Sequence, residues 1–247
     1  MSLFVDLIRH IEASTGLNLS HLSQDFDRAR LIGGMLTTIR LASICILLSL
    51  AIGVTGAWLQ MSRSRIVRGA TAAYVQFFRN TPPLVQLYFF YFAISPLIRA
   101  PNQYGIMQPM LGSFAWAAIS LSLFAGAFNV EIFRAGIEAV PRVTIEAAEA
   151  LGYTRAGAFR TVTLPLAARF ALPSLANNLI NLVKTTTLAY AIAVPETLFV
   201  ANQIWSDRLN VPEVMVTLFI FYMALVGLVA WVFALIESAL RIPGFGR

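Results

Sequence analysis

LIGGMLTTIRLASICILLSLAIGVTGAWL, residues 31–59, stays apolar for far longer than a soluble core helix requires, and Arg40 is its one charge. A bilayer core takes about 20 apolar residues at a rise of 1.5 Å each. The stretch therefore predicts a membrane-spanning helix with length to spare. Arg40 then either holds a structural place, snorkelling to an interface or facing the bundle interior, or contacts a substrate.

Four more apolar runs follow, at about 83–98, 110–128, 172–194 and 214–240. The second opens in FFRNTPPLVQLYFFYF, where Pro82 and Pro83 suit a helix start because their missing N–H groups fall among those left unpaired there. The third is rich in small residues that let membrane helices approach closely. Of 247 residues, 58% are hydrophobic and 12% charged, against about 25% charged in a soluble domain. The prediction is an all-α integral membrane protein of about five transmembrane helices.

The formal charge is +6, and 17 of the 18 basic residues are Arg. They sit mostly between apolar runs, where positive residues retain loops on the cytoplasmic side; the charge reports topology and predicts no nucleic-acid partner. Eleven basic residues lie in the two largest basic loops and the tail, against five on the other side (Arg9, Arg28, Arg30, Arg99 and Arg208). The expected topology has the amino terminus outside and the carboxyl terminus cytoplasmic. Residues 1–30 alternate apolar and charged groups and read as an amphipathic periplasmic or interfacial segment, without the compact apolar core of a cleavable signal. Residues 31–240 form the expected transmembrane domain, including a cytoplasmic loop at 131–170, and residues 241–247 a cytoplasmic tail. A single Cys45 inside an apolar run allows no disulfide within the chain and no thiolate metal cluster.

Within the large loop runs EAAEALGYTRAGAFRTVTLP, Glu146 to Pro165. Glu146, Ala147, Ala148 and Glu149 form a strong helix, Gly152 stands where a left-handed cap ends it, and a second short helix reaches Thr163 before Pro165 closes the unit. Such an element is either a rigid knob that passes a partner's displacement to the bundle or an interfacial amphipathic loop.

In the fourth run, Asn177, Asn181 and Lys184 fall within about 60° of one another at about 100° per residue, with Asn178 and Thr185 at the edge of that face. Polar groups are costly against lipid, so the stripe faces a partner subunit or a wet cavity. Lys184, the sole lysine, suits a substrate carboxylate, and the amides and hydroxyls suit a zwitterion. Interhelical hydrogen bonding is the other reading. Glu131 binds an α-amino group or pairs with Arg134; Gln86 is a further pathway candidate.

The pattern Glu146-Ala147-Ala148, Gly152 and Leu164-Pro165 resembles the ATPase-coupling motif of binding-protein-dependent ABC importer permeases. Phe78-Arg79-Asn80-Thr81-Pro82 with Leu84-Val85-Gln86, Gly126-Ala127-Phe128 with Glu131-Ile132 and Arg134, and Leu172-Pro173 with Asn177 to Leu188 narrow the resemblance to polar amino-acid permeases, over roughly Thr37 to Gly244. Asn80 stands where that family has Gly, Val143-Thr144 replace a Gly-Gln pair, and Thr185 replaces Asp after Lys184. The lost carboxylate argues against a strict preference for Arg or Lys cargo, and the terminal segments look most like permeases for acidic or neutral amino acids. The resemblance implies a type I importer transmembrane domain in a bacterial inner membrane. It also implies a second permease subunit, copy or relative, two cytoplasmic ATPase subunits that bind ATP and Mg, an extracytoplasmic amino-acid-binding protein and alternating access. No phosphate-cradling Gly-rich loop, HExxH pair or Gly-x-Ser-x-Gly elbow is present, so no catalytic residue, metal ligand or cofactor is expected in this chain. The rival classes are a standalone secondary transporter or channel, which should show repeats or more spans, and a membrane scaffold.

Overall fold

The computed structural model describes residues 2–101 and 103–240, with side chains from Val5 onward; the expected tail at 241–247 lies outside the described residues. Helices α1 (Ser2–Thr15) and α2 (Ser20–Ser23) precede α3 (Asp25–Gln60), α4 (Arg65–Asn80) and α5 (Pro83–Tyr88). A π-helical turn (Phe89–Ile94) and a 3-10 turn (Ser95–Leu97) lead into a hairpin of β1 (Arg99–Pro101) and β2 (Met107–Pro109), antiparallel with Arg99 opposite Pro109. Then come α6 (Ser113–Glu138), α7 (Arg142–Ala150), α8 (Arg155–Ala158), a π-helical turn (Phe159–Thr163), α9 (Leu164–Thr185), a 3-10 stretch (Thr186–Ile192), α10 (Thr197–Arg208) and α11 (Val211–Ala239).

Among the described residues α3, α6 and α11 are each long and apolar enough to cross a bilayer. The second expected span is built from short pieces, because Pro83 starts a helix that soon widens into a π turn, and the fourth is divided between the 22-residue α9 and the 3-10 stretch that follows Thr185. Three boundaries differ from the hydropathy reading. Helix α3 begins at Asp25, inside the segment read as interfacial, with Asp25 and Asp27 placed favourably at its positive end. Helix α6 continues past Phe128 to Glu138, since Glu131, Arg134 and Glu138 pair along one helical face instead of opening a loop. Pro165 does not close the coupling unit but sits in the first turn of α9; the π turn ahead of it absorbs the ring and the missing N–H.

Two compact units divide the chain. One takes residues up to Ile44, Leu87–Ala118 and Lys184–Gly227; the other takes Cys45–Gln86, Ile119–Val183 and the residues from Leu228. In the first, Leu31, Val200, Ala201, Ile204 and Val214 form a buried core. The short amino-terminal helices are tied to it by polar contacts: His21 Nε2 lies 2.9 Å from Thr217 Oγ1, and the Asn18 amide donates to Glu213. Arg208 Nε donates to the buried Asp27 at 2.8 Å.

The second unit is a close crossing of helices. A Cβ on Gly53 would lie 2.4 Å from Asn129 Cβ, one on Gly126 2.6 Å from Ile52, and one on Gly136 2.6 Å from the Ala167 carbonyl oxygen. These approaches let α3, α6 and α9 meet at backbone distance, as small residues do between membrane helices. Tyr74 donates to the Leu123 carbonyl at 2.6 Å, and Asn178 Nδ2 donates to Asn129 Oδ1 at 2.7 Å and to the Ala125 carbonyl at 3.1 Å.

Candidate coupling segment and transport path

The candidate coupling segment is shaped by its own backbone. At the end of α7 the Tyr153 amide donates to Ala148 O at 3.2 Å and the Gly152 amide to Glu149 O at 3.0 Å, with Gly152 at φ +89°. That is the paired reverse-bond closure a left-handed glycine permits. Thr154 then caps α8 by accepting from the Gly157 amide at 3.1 Å. Ala148 and Ala158 are buried, while Glu146, Ala147, Gly152 and the apolar Val143 and Leu151 are exposed. Arg155 and Glu149 approach to 3.7 Å, a surface pair worth little. The result is a fixed backbone that offers acidic and apolar side chains outward. Leu164, at the head of α9, is also exposed, and Pro165 follows it on the same helix.

On α9 the expected stripe separates cleanly. Asn177, Asn181 and Lys184 are exposed, whereas Leu175, Leu179, Leu182 and Val183 are buried. Asn178 is drawn out of the set: its amide is spent on Asn129 and Ala125, which is interhelical bonding. Thr185 is half-buried at the helix end. The Asn129 Nδ2 group facing this contact is buried without a hydrogen-bond partner among the described residues.

Glu131 belongs to a charged brace. Its Oε2 lies 2.9 Å from Arg134 and 3.5 Å from Arg79, its Oε1 accepts from Gln60 at 3.4 Å, and Arg134 also reaches Glu138 at 2.8 Å. Arg79 stacks over the Phe128 ring at 5.3 Å. The ends of α3 and α4 are thereby fastened to α6 just ahead of α7, and both Glu131 oxygens are engaged. Gln86 is likewise a strut: it is buried and its Nε2 donates to Phe78 O, Thr81 O and Thr81 Oγ1 at 2.6–3.0 Å, holding the Thr81-Pro82 turn. Arg40 is exposed on α3.

One further polar group is buried at the start of α10. Glu196 is fully buried, caps α10 by accepting from the Leu198 and Phe199 amides at 2.9 and 2.8 Å, and accepts from Tyr222 at 3.1 Å and Thr38 at 3.4 Å. Burial pushes its carboxyl above the usual carboxylate range, against the pull of those donors. The Pro-Glu-Thr order at a helix start was the available signal, since an acidic side chain ahead of a helix is a capping choice.

Residues 30–242 match the family model described as binding-protein-dependent transport system inner membrane component. A nopaline transport system permease protein of Agrobacterium fabrum is 31% identical over 208 residues, covering 84% of this chain and 86% of that protein. A putative glutamine transport system permease protein of Rickettsia bellii is 32% identical over 210 residues, covering 85% and 92%. The solved structure of an amino acid ABC transporter with histidines superposes with a TM-score of 0.76 at 27% identity, covering 90% of this chain and 100% of that one.

Proposed function

This chain belongs to the binding-protein-dependent transport system inner membrane component family, and from that premise we propose that it is the permease subunit of an ATP-driven importer of polar amino acids. The observation that carries the proposal is the coupling segment, whose backbone is closed on itself while Glu146, Ala147 and Leu151 stay exposed for a partner. Relatives whose names give nopaline and glutamine as cargo support the substrate class. In this reading two ATPase subunits, which hold ATP and Mg, dock on the cytoplasmic face. A second permease subunit completes the pathway, and an extracytoplasmic binding protein delivers the amino acid. The chain sits in a bacterial inner membrane, amino terminus outside and carboxyl terminus cytoplasmic, and catalyses nothing itself.

Closure of the ATPases displaces α7 and α8. Because Phe159–Thr163 continues without a break into α9, the displacement passes along the helix that bears Asn177, Asn181 and Lys184. The cargo is then exposed alternately to each side, driven by ligands that bind the two states with different affinity. Lys184 attracts a carboxylate, and the asparagine amides bind the rest of the zwitterion. The Glu131 brace positions α3, α4 and α6 and is left out of cargo binding.

The test uses vesicles holding the complete complex and its binding protein, with a panel of labelled amino acids. ATP-dependent accumulation of polar amino acids is expected, and Lys184→Met should lower uptake about tenfold, the factor that corresponds to about 1.4 kcal/mol, while the complex still assembles. Uptake that ignores ATP would return the standalone-transporter reading. Unchanged uptake in Lys184→Met would assign the stripe to packing.

A further inference from the structure

Helices α3 and α4 flank an apolar furrow of 490 Å³, lined by Ile52, Leu59, Ala70 and Leu123 among others. A second hollow of 420 Å³ shares Leu59 and extends to Trp58, Met61, Val67 and Phe159, next to the α3–α4 turn. The three hydroxyls in the furrow are satisfied by the chain itself: Thr55 bonds Ala51 O at 2.7 Å, Thr71 bonds Val67 O at 2.9 Å, and Tyr74 bonds Leu123 O at 2.6 Å. Each hydroxyl spends its proton on a backbone carbonyl and the rest of the lining is aliphatic, so the furrow suits hydrocarbon.

The turn at the end of the furrow has the opposite character. Arg63, Arg65 and Arg68 are exposed, and among the described residues none of them forms an ion pair. Arg68 Nη1 donates only to the Ser62 and Arg63 carbonyls, at 2.8 and 3.3 Å, which fixes the turn and neutralises nothing. Trp58, 71% exposed, stands beside it, as aromatic side chains do at a membrane–water boundary. An apolar furrow that ends in three uncompensated guanidinium groups and an interfacial tryptophan matches one ligand chemistry. We infer that the α3–α4 furrow binds an anionic phospholipid, its acyl chains along Ile52, Leu59 and Val67 and its phosphate on the Arg63–Arg68 turn. Basic clusters at a helix end attract anionic headgroups by this means, at about fivefold per Arg. The site concerns the bilayer face alone, so it stands or falls separately from the cargo assignment.

The full-length chain, purified in mild detergent, is titrated with phosphatidylglycerol or phosphatidylcholine of the same acyl chains, and retained lipid is counted by native mass spectrometry. Wild type should prefer phosphatidylglycerol by at least about tenfold. The variant Arg63→Gln/Arg65→Gln/Arg68→Gln should lose that preference, Arg65→Lys should keep it, and Ala70→Trp should lower retention of both lipids by filling the furrow. If the triple variant does not fold, Arg65→Gln against Arg65→Lys carries the same comparison with a smaller ratio. Retention indifferent to the arginines or to Ala70→Trp overturns the inference. So does loss of the preference when inorganic phosphate is added, which would make the turn a phosphate site, or a disulfide between Ala70→Cys residues of two copies, which would place a second copy over the furrow.

Discussion

The candidate coupling segment and the crossing of α3 with α6 and α9, the two helices that flank it in sequence, hold their shapes by opposite means. In α7 and α8 the backbone closes itself with capping bonds, and side chains such as Val143, Leu151 and Glu146 are left outside. In the crossing the side chains do the work: Gly53, Gly126 and Gly136 are sites where any Cβ would collide. Gly136 is a glycine for want of space in an ordinary helix, whereas Gly152 has open space around it and needs the residue for its φ of +89°. The backbone path is therefore set by bonds within α7 and α8 themselves, which leaves their outward side chains out of the folding of the segment, whereas in the crossing side-chain size and backbone path are fixed together.

One substitution placed at both sites tests that contrast. Gly136→Leu drives a side chain into the Ala167 carbonyl and should cost about 3 kcal/mol, or prevent accumulation of the protein. Gly152→Leu meets nothing and should cost only the left-handed penalty of about 1–2 kcal/mol. Thermal unfolding in detergent ranks the two; equal losses would mean that packing and backbone are not separated as described.

A smaller effect sharpens the comparison from a third region, the buried polar contact of α2. Burial holds the His21 imidazole below its ordinary value of 6.5, despite the nearby Glu213, Asp27 and Glu12. A depressed folded value favours the neutral ring in the folded state. Its contribution is therefore present above pH 6.5 and is lost as pH falls from 6.5 toward the folded value, with a slope of at most about 1.4 kcal/mol per pH unit. Stability measured between pH 7 and pH 5 should fall more steeply in wild type than in His21→Asn; parallel curves would show that the ring titrates as freely as in the unfolded chain.

Much of this was legible in residues 31–59, whose apolar length alone requires a spanning helix, and in Gly152, whose place after Glu146–Leu151 announces a left-handed cap. That Asn177, Asn181 and Lys184 share one face of α9 also followed from helical spacing. What escaped depends on distant partners. Hydropathy stops α6 at the first charge, yet Glu131, Arg134 and Glu138 compensate one another and the helix runs on. Asn178 looked like its neighbours until Asn129, on another helix, took its amide. Gln86 reads as a polar intruder in an apolar run, and only the folded Thr81-Pro82 turn makes it a strut. Glu196 needed the tertiary burial of Thr38 and Tyr222 around it before its role as a cap became visible.

The most direct measurement is recovery of the partner ATPase with affinity-purified permease carrying Glu146→Arg, alongside ATP-driven uptake by the same membranes. Glu146 is exposed and no ion pair is recorded for it among the described residues, so the substitution should leave folding intact. At least a tenfold loss of both ATPase recovery and uptake, with normal permease abundance, is the predicted result. Wild-type recovery and uptake would contradict the assignment of α7 and α8 as the segment through which ATP hydrolysis moves the bundle.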